Sequence, residues 1–366
     1  MSIKLLKELG RVAQGYNLKI WAVGGFARDF VLHKKTKDID ICVEGNTAPL
    51  VNYCQNEKYA KVQNFASFGT TRIIFKNGFK LDIVCCRKEV YPYPAALPVV
   101  KKATLKEDLF RRDFKCNALA LSLLPNEFFK IYDLYGALED IKNKEVSVLH
   151  KKSFQDDPTR IYRAFRFAVR LNFKFSKETE TLLKSALSKK YFSLLSPVRK
   201  TNEIIKILEE NAPSKVFKLI GKYKAKVLFC DNFKIPKNID RFTLLEERIA
   251  LLILSQKNAE QFLSTLQMPK NKLFLTNKLL KFYKNKSAPK QALTKQEIKL
   301  IKAITPKLSK IAYTKCFLDG KTLQILGAKG KQINDILTEI AKKQAAGKIR
   351  TKKSAKNFAL RILKGN

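Results

Sequence analysis

The stretch GGFARDFVLHKKTKDID, residues 24–40, sets the expected fold and chemistry of this chain. It joins a Gly-Gly turn and an arginine to two carboxylates, Asp38 and Asp40, one residue apart. Side chains at i and i+2 of an extended strand lie on the same side. Residues 38–43, DIDICV, are therefore expected to form a strand with both acids on one face and Ile39, Ile41 and Val43 turned toward a core. Two carboxylates that close repel unless a cation separates them, and a divalent metal is the usual remedy. Gly24 and Gly25 let a backbone approach a phosphate, and Arg28 offers a planar cationic fork. Phosphate beside metal implies nucleotidyl transfer. A lone D-x-D is more often a pair of solvated strand aspartates, and the preceding GG-x-x-RD weighs against that here.

Length and composition narrow the class. The 366 residues exceed one ordinary domain, and the 45% apolar content supports a real core. No apolar run of about 18 residues occurs, and MSIKLLKELG lacks a signal-peptide core, so a soluble cytoplasmic protein with no membrane partner is expected. The 7 cysteines show no C-x-x-C, which suggests reduced, buried thiols. With only His33 and His150 present, a histidine metal centre and a Ser-His-Asp triad are excluded. The formal net charge of +41 calls for a polyanion, with nucleic acid the first choice. From residue 211 onward Lys and Arg exceed Asp and Glu by roughly 26, which points to the C-terminal half as the platform for it.

Periodicity divides the chain into an α/β head on an elongated, basic, all-helical remainder. Leu5, Leu6, Leu9, Val12 and Ala13 make a helical stripe, and KIWAVGG reads as a strand entering the Gly-Gly turn. A helix is expected near 47–57. TRIIFKNGFKLDIVCC then reads as two strands around Asn77-Gly78, a two-residue hairpin signal. From about 157, helical stripes dominate in NEIIKILEE, EERIALLILSQ, NKLFLTNKLLKFY and NDILTEIAKK, punctuated by Pro197, Pro213 and Pro236. The expected division is 1–143 head, 144–210 helical neck, 211–290 helical body and 291–366 basic helical tail.

Three further constellations carry chemistry. Asp82 alternates with Leu81 and Ile83, so an adjacent strand could bring it beside Asp38 and Asp40; three such carboxylates can hold two magnesium ions. KEDLFRRDFKCNALAL, residues 106–121, reads as a helix on which only one of Arg111 and Arg112 can face a given pocket, with Asn117 placed to orient Asp113. In DDPTRIYRAFRFAVRLNF, residues 156–173, Pro158 fits the first helical position and makes Asp157 the N-cap. Arg160, Arg163 and Arg166 then share one face, opposite Ile161, Phe165, Ala168 and Val169, and need an anionic or hydrogen-bond-accepting partner.

The ordered set GG-x-x-RD, DID, RRDFKCNALA, DLYGALEDIKNK, DDPTRIYRAFRFAVRLNF and SPVRKTNEIIKIL resembles the motif series of class II tRNA nucleotidyltransferases. These CCA-adding enzymes share their catalytic head with bacterial poly(A) polymerases. The resemblance covers residues 20–210 densely, and DGKTLQILGAKGKQINDIL is similar to their tail. It implies a polymerase-β-like head and a template-independent, two-metal addition of C, C and A to the tRNA 3′ end from CTP and ATP. It further implies that Asp38 and Asp40 ligate Mg2+ and that Gly25, Arg28 and Arg112 contact the nucleotide's phosphates and sugar. Asp157 and Arg160 would read the base edge, while Arg163 and Arg166 hold that protein template and the triphosphate. Residues 87–108 match the family's flexible loop. One departure is Asp156, where the family usually has Glu. An A-adding or CC-adding relative, or a poly(A) polymerase, shares the head motifs. A non-catalytic RNA-binding protein would not need intact Asp38, Asp40 and Asp82. With no histidine after His150, an appended His-Asp phosphohydrolase module is excluded.

Overall fold

Alternation in DIDICV produces the expected strand, and in the computed structural model it lies at the centre of a seven-stranded sheet. The structure describes residues 3–36, 38–56, 60–65, 69–285, 294–304, 316–345 and 348–364. The chain divides into two compact units, Met1–Ser196 and Pro197–Asn366.

In the first unit the strands are β1 (Lys19–Val23), β2 (Asp38–Glu44), β3 (Ala60–Phe65), β4 (Thr70–Phe75), β5 (Lys80–Cys85), β8 (Leu119–Ser122) and β9 (Ile131–Asp133), with β6 (Arg87–Val90) and β7 (Val99–Lys102) forming a separate ribbon. The sheet order is β3-β4-β5-β2-β1-β8-β9, with β2 and β5 parallel and the other neighbours antiparallel. Ile39, Ile41 and Val43 are buried on one face with Ile20, Ala22, Leu81 and Ile83. The helix α1 (Ile3–Gly15) buries Leu6, Leu9 and Ala13, the stripe visible in the sequence. On the opposite face, Cys42 packs with Trp21, Val23, Cys86 and Ala120 under Leu105 and Leu109. Half of the acid-bearing face is thus covered by apolar side chains, and only the half that bears Asp38 and Asp40 stays open.

Helices α2 (Gly25–Val31) and α3 (Ala48–Asn56) follow β1 and β2; α4 (Leu105–Phe110), α5 (Ala137–Asn143), α6 (Ser153–Asp156), α7 (Thr159–Leu171) and α8 (Lys177–Ser188) come later, and a short parallel pair, β10 (Glu145–Val146) with β11 (Lys174–Phe175), interrupts the neck expected to be helical. The helix expected across 106–121 stops at Phe110, and Phe114 is already extended at φ −138° and ψ 151°. Its last residues form β8, all four of them buried between β1 and β9. An apolar run buried on both faces carries no helix-or-strand signal of its own, and pairing with β1 decides it.

The second unit is helical among its described residues: α9 (Pro197–Leu208), α10 (Pro213–Lys222), α11 (Leu245–Leu254), α12 (Ala259–Ser264), α13 (Phe274–Asn285), α14 (Lys295–Ile304), α15 (Gly320–Ile325), α16 (Lys331–Ala345) and α17 (Lys352–Leu363). Pro197 and Pro213 open their helices, where a missing N–H costs nothing. Leu318, Leu323, Ile336, Ile340, Ile349 and Ala359 form a local core near the C-terminus. The boundary expected at 290/291 lies outside the described residues. No described helix is long and apolar enough to cross a membrane. The seven cysteines are free thiols.

Gly10 tests how tightly α1 packs. A Cβ there would lie 1.8 Å from the Leu123 carbonyl oxygen, a backbone atom that cannot swing aside, whereas one at Gly15 meets nothing within 4 Å. Gly10→Ala is expected to lower stability by about 1–3 kcal/mol through overpacking, and Gly15→Ala to leave it unchanged or slightly raised. Paired thermal melts check this, and equal midpoints would contradict the packing described.

Candidate active site

The sheet register builds the site. One transverse row runs Val23, Asp40, Asp82, Arg72, Gln63 across five strands, each pair directly opposite. Paired residues on neighbouring strands point to the same face, so Asp40 and Asp82 lie side by side, with Asp38 two residues away on that face. Protein packed round the Asp40 carboxyl raises its pKa; Arg112 opposes this, Asp82 and Asp38 add to it, and Arg72 opposes it. Asp40 nonetheless keeps an edge open to solvent.

Arg72 was not foreseen. Its Nε and Nη2 donate to both oxygens of Asp82, each at 2.7 Å. The reason is the hairpin turn. A two-residue turn at Asn77-Gly78 would pair Asp82 with Ile73, on the buried face. Instead Gly78 N donates to Phe75 O at 2.8 Å, Phe75 N donates to Phe79 O at 2.9 Å, and Gly78 takes φ +78°. That is a type I turn closed by a left-handed glycine, one residue longer than expected, and it shifts the register by one. The hairpin forms as anticipated, but its turn type decides which residue of β4 stands opposite Asp82.

At the end of β1, Gly24 has φ +68° and ψ −128°. A Cβ there would lie 2.7 Å from Arg112 Nη1 and 3.5 Å from Asp40 Oδ2, so Gly24, rather than Gly25, is where a side chain cannot fit. Arg112 Nη2 donates to Asp108 Oδ2 at 2.9 Å, and Arg111 donates to Asp108 Oδ1 at 2.8 and 3.0 Å. Asp108 is fully buried; desolvation opposes its charge, but Arg112 and Arg111 outweigh it and hold the pKa below the usual carboxylate value. One buried carboxylate thus aims both arginines, Arg112 at Gly24 and Arg111 at Glu89 (2.9 Å). Asp108 went unnoticed in the sequence, although its spacing to Arg111 and Arg112 is i+3 and i+4.

Arg28 departs from expectation. It is 5% exposed, its Nη1 donates to Asn117 Oδ1 at 2.6 Å, and its Nε and Nη2 donate to Asp29 Oδ1. In this arrangement the guanidinium is occupied by protein acceptors rather than turned to an open position. Asn117 in turn donates to Asp113 Oδ1 at 2.8 Å, and Asp113 Oδ2 accepts from Arg163 Nε and Nη2 at 2.9 and 2.6 Å. A continuous polar chain therefore ties α2 to α7 through Asp113. The guanidinium carbons of Arg28, Arg163, Arg166 and Arg170 gather within 4.9–5.6 Å of the Phe167 ring centroid. Arg166 is itself 5% exposed and sits in this cluster. The partner needed by the arginine face is thus supplied in large part from within the protein.

The N-terminus of α7 faces a polar cavity of about 310 Å³ lined by Arg112, Asp113, Asp157, Arg160, Arg163, Glu89, Tyr91 and Arg111. Asp157 has extended backbone, and its Oδ1 accepts from Thr159 N at 3.0 Å and Thr159 Oγ1 at 2.6 Å, as an N-cap does. Arg160 is held from behind: Nη1 donates to Ser153 Oγ at 2.8 Å and Nη2 to the Arg111 carbonyl at 2.7 Å. Asp156 lies 3.9 Å from His150 instead. Of residues 87–108, expected as a flexible loop, 87–102 form the β6–β7 ribbon, whose Ala95 N donates to Gln155 O at 3.1 Å, and the last four lie in α4.

The donor set fits a hard divalent cation at Asp38 and Asp40, two carboxylates on one open face whose mutual repulsion a cation would relieve. The third carboxylate stands beside Asp40 as expected, but its oxygens are already engaged. Arg72 holds both oxygens of Asp82, and among the described residues no three His, Cys, Asp or Glu side chains gather as a ready metal cage.

Asp113 carries a pH signature. Burial opposes its charge, but Arg163 and the hydrogen bond from Asn117 overcome this and pull its pKa down to about 2. A carboxylate depressed on folding adds stability that is fully present above its unfolded pKa near 3.8 and is lost as pH falls through about 2. The contribution is about 2 kcal/mol at neutral pH. Asp113→Asn is expected to cost about 3 kcal/mol by stranding Arg163, and to flatten stability against pH between 4 and 2, as read by urea unfolding. An unchanged pH slope would show that Asp113 is not the linkage.

Residues 20–147 match the poly A polymerase head domain. The A-adding tRNA nucleotidyltransferase of Geobacter sulfurreducens is 41% identical over 214 residues, covering 58% of this chain and 24% of that protein. The CCA-adding enzyme of Staphylococcus epidermidis is 27% identical over 268 residues, covering 72% of this chain and 64% of its own length. The chain thus spans about a quarter of the first relative and under two thirds of the second. A solved CCA-adding enzyme in its apo form superposes with a TM-score of 0.74 at 26% identity, covering 100% of this chain and 96% of that one. Similar structures include CCA-adding enzymes in complex with ATP, with CTP and, from Thermotoga maritima, with tRNA. Residues 20–147, which hold the open acid pair and the glycine turn against an arginine, thus match a poly A polymerase head domain, and the chain as a whole is similar in sequence and fold to tRNA nucleotidyltransferases.

Proposed function

We propose that the chain adds C, C and A to the 3′ end of tRNA, using CTP and ATP without a nucleic-acid template. The observation that carries this reading is Arg112. It touches the position of the Gly24 side chain beside Asp40 and also lines the cavity capped by Asp157 and Arg160. One arginine thus joins a metal-binding face to a base-sized pocket. End-to-end similarity to CCA-adding enzymes supports the complete reaction over a partial one. The division into head 1–143, neck 144–210, body 211–290 and tail 291–366 belongs to the same proposal.

In the reaction the terminal ribose hydroxyl of the RNA attacks the α-phosphorus of the incoming nucleotide, and pyrophosphate leaves. Magnesium ions held by Asp38 and Asp40 would neutralise the triphosphate and lower the pKa of the attacking hydroxyl. Asp108 keeps Arg112 turned toward Gly24, where a phosphate can pass close to the backbone. A carboxylate offers about four lone-pair sites, so the Thr159 cap does not exhaust Asp157. It can accept from the exocyclic amine common to cytosine and adenine. Arg160, fixed by Ser153 and the Arg111 carbonyl, would donate to a neighbouring ring nitrogen. Uracil and guanine would turn a carbonyl oxygen toward Asp157. The basic second unit would hold the acceptor arm through its phosphates.

A second reading, addition of the terminal A alone, is favoured by the higher identity to the A-adding relative. Incubation with tRNAs lacking the last three, two or one nucleotides, supplied with CTP or ATP separately, distinguishes the two. Full extension of all three supports the proposal, and extension only of the tRNA ending in CC supports the second reading. Asp38→Ala or Asp40→Ala is expected to abolish addition with tRNA affinity retained.

Base choice gives a sharper test. Removing one charge-assisted hydrogen bond of about 1.5–3 kcal/mol should cut discrimination by roughly ten- to a hundredfold. Asp157→Ala should therefore raise UTP and GTP incorporation relative to CTP and ATP. A pure helix cap would instead lower all four kcat/KM values alike and cost about 1 kcal/mol of stability. Measuring kcat/KM for the four triphosphates beside the thermal midpoint separates these outcomes.

A further inference from the structure

A second, larger cavity lies behind the wall formed by Glu89, Tyr91, Arg111 and Arg160. Its volume is about 670 Å³, within the range of small-molecule sites, and the catalytic reading leaves it unused. Three aromatic rings stand together on one side. Phe110 lies 5.6 Å from Tyr135 and 5.2 Å from His150 between centroids, tilted by 42° and 33°. Phe110 is 43% exposed, an unusual state for a phenylalanine held between two rings, and its uncovered part faces the cavity. Six basic and three acidic side chains line the same space. Lys106, Lys151 and Lys152 are exposed at the rim, while Lys88 is paired with Glu107 at 3.1 Å. Burial pushes His150 down to about 4, so at neutral pH it is an uncharged ring suited to stacking.

We propose that this cavity binds a second nucleoside phosphate, its base against Phe110 and His150 and its phosphate on Lys106, Lys151 and Lys152. Stacking on an aromatic platform accepts any base, and ammonium groups on flexible stems accept a phosphate as point charges. The enclosed volume suits a mononucleotide better than a continuous RNA strand. The site also reaches the base-reading pocket. Arg160 Nη1 lies 3.4 Å from His150 Nε2, and the Arg111 carbonyl that fixes Arg160 belongs to the shared wall. A nucleotide stacked on His150 would therefore act on the arginine that reads the incoming base. This coupling rests on the role given to Arg160 above, whereas the binding itself does not.

Equilibrium dialysis of the full chain with labelled ATP and magnesium tests the proposal. The wild-type protein is expected to bind two equivalents. Phe110→Ser combined with Lys151→Glu and Lys152→Glu should bind one, with tRNA extension retained, and Arg112→Ala should lose the other. The Lys151→Glu, Lys152→Glu double variant alters only exposed side chains and reports the same loss should the triple variant melt early. One equivalent on the wild-type protein, or two on the variants, would overturn the proposal. So would an unchanged ATP stoichiometry with weakened tRNA binding, which would place RNA rather than a free nucleotide on these rings.

Discussion

A buried carboxylate, Asp113, is the constraint on which the site depends. It takes two hydrogen bonds from Arg163, one from Asn117 and one from the Phe114 backbone, and Asn117 passes the connection on to Arg28. A charge withdrawn from water is tolerated only when its lone pairs are satisfied, and a partly satisfied network costs more than an apolar core. The elements that carry these groups, α2, the 111–117 segment and α7, are therefore held in one relative arrangement. Gly24 precedes the first, Arg112 lies on the second, and Asp157 caps the third. Loosening the centre would move all three together.

The arginines divide accordingly into two populations. Arg28 and Arg166 serve the framework round Phe167 and, like Arg160, are almost wholly buried. Arg112, Arg160 and Arg163 line the polar cavity, each braced on its far side by an acceptor from the protein: Asp108, the Arg111 carbonyl and Asp113. A guanidinium has five donors in a rigid fork, so it can spend some on orientation and keep an edge for a ligand. Preorganisation of this kind spares the ordering cost at the moment of binding. The same wall faces the aromatic cavity, which lies one residue's thickness from the polar one.

The acid pair follows a different logic. Its geometry comes from strand register rather than from a polar network. The parallel pairing of β2 with β5 sets Asp82 beside Asp40, and the glycine-closed turn at Gly78 sets Arg72 opposite Asp82. A one-residue change in that turn would bring Ile73 opposite Asp82 in place of Arg72 and turn Arg72 to the other face.

Much of this was legible in the residues. Alternation in DIDICV determined a strand with a polar and a buried face, because a period of two admits no other assignment once Ile39, Ile41 and Val43 must be covered. Asp157-Pro158 determined where α7 begins, because proline lacks the N–H that a helix interior needs. The helical stripes beyond residue 157 determined a second unit that is helical among its described residues. What the sequence could not determine was set by contacts distant along the chain. Residues 119–122 became a strand because β1 offered pairing, and Arg28 was drawn inside because Asn117, 89 residues away, accepts from it. Asp82 met Arg72 because a turn took one more residue than its Asn-Gly signal implied. Local sequence specifies periods and caps, whereas the acceptor that meets each arginine is chosen only when distant elements pack.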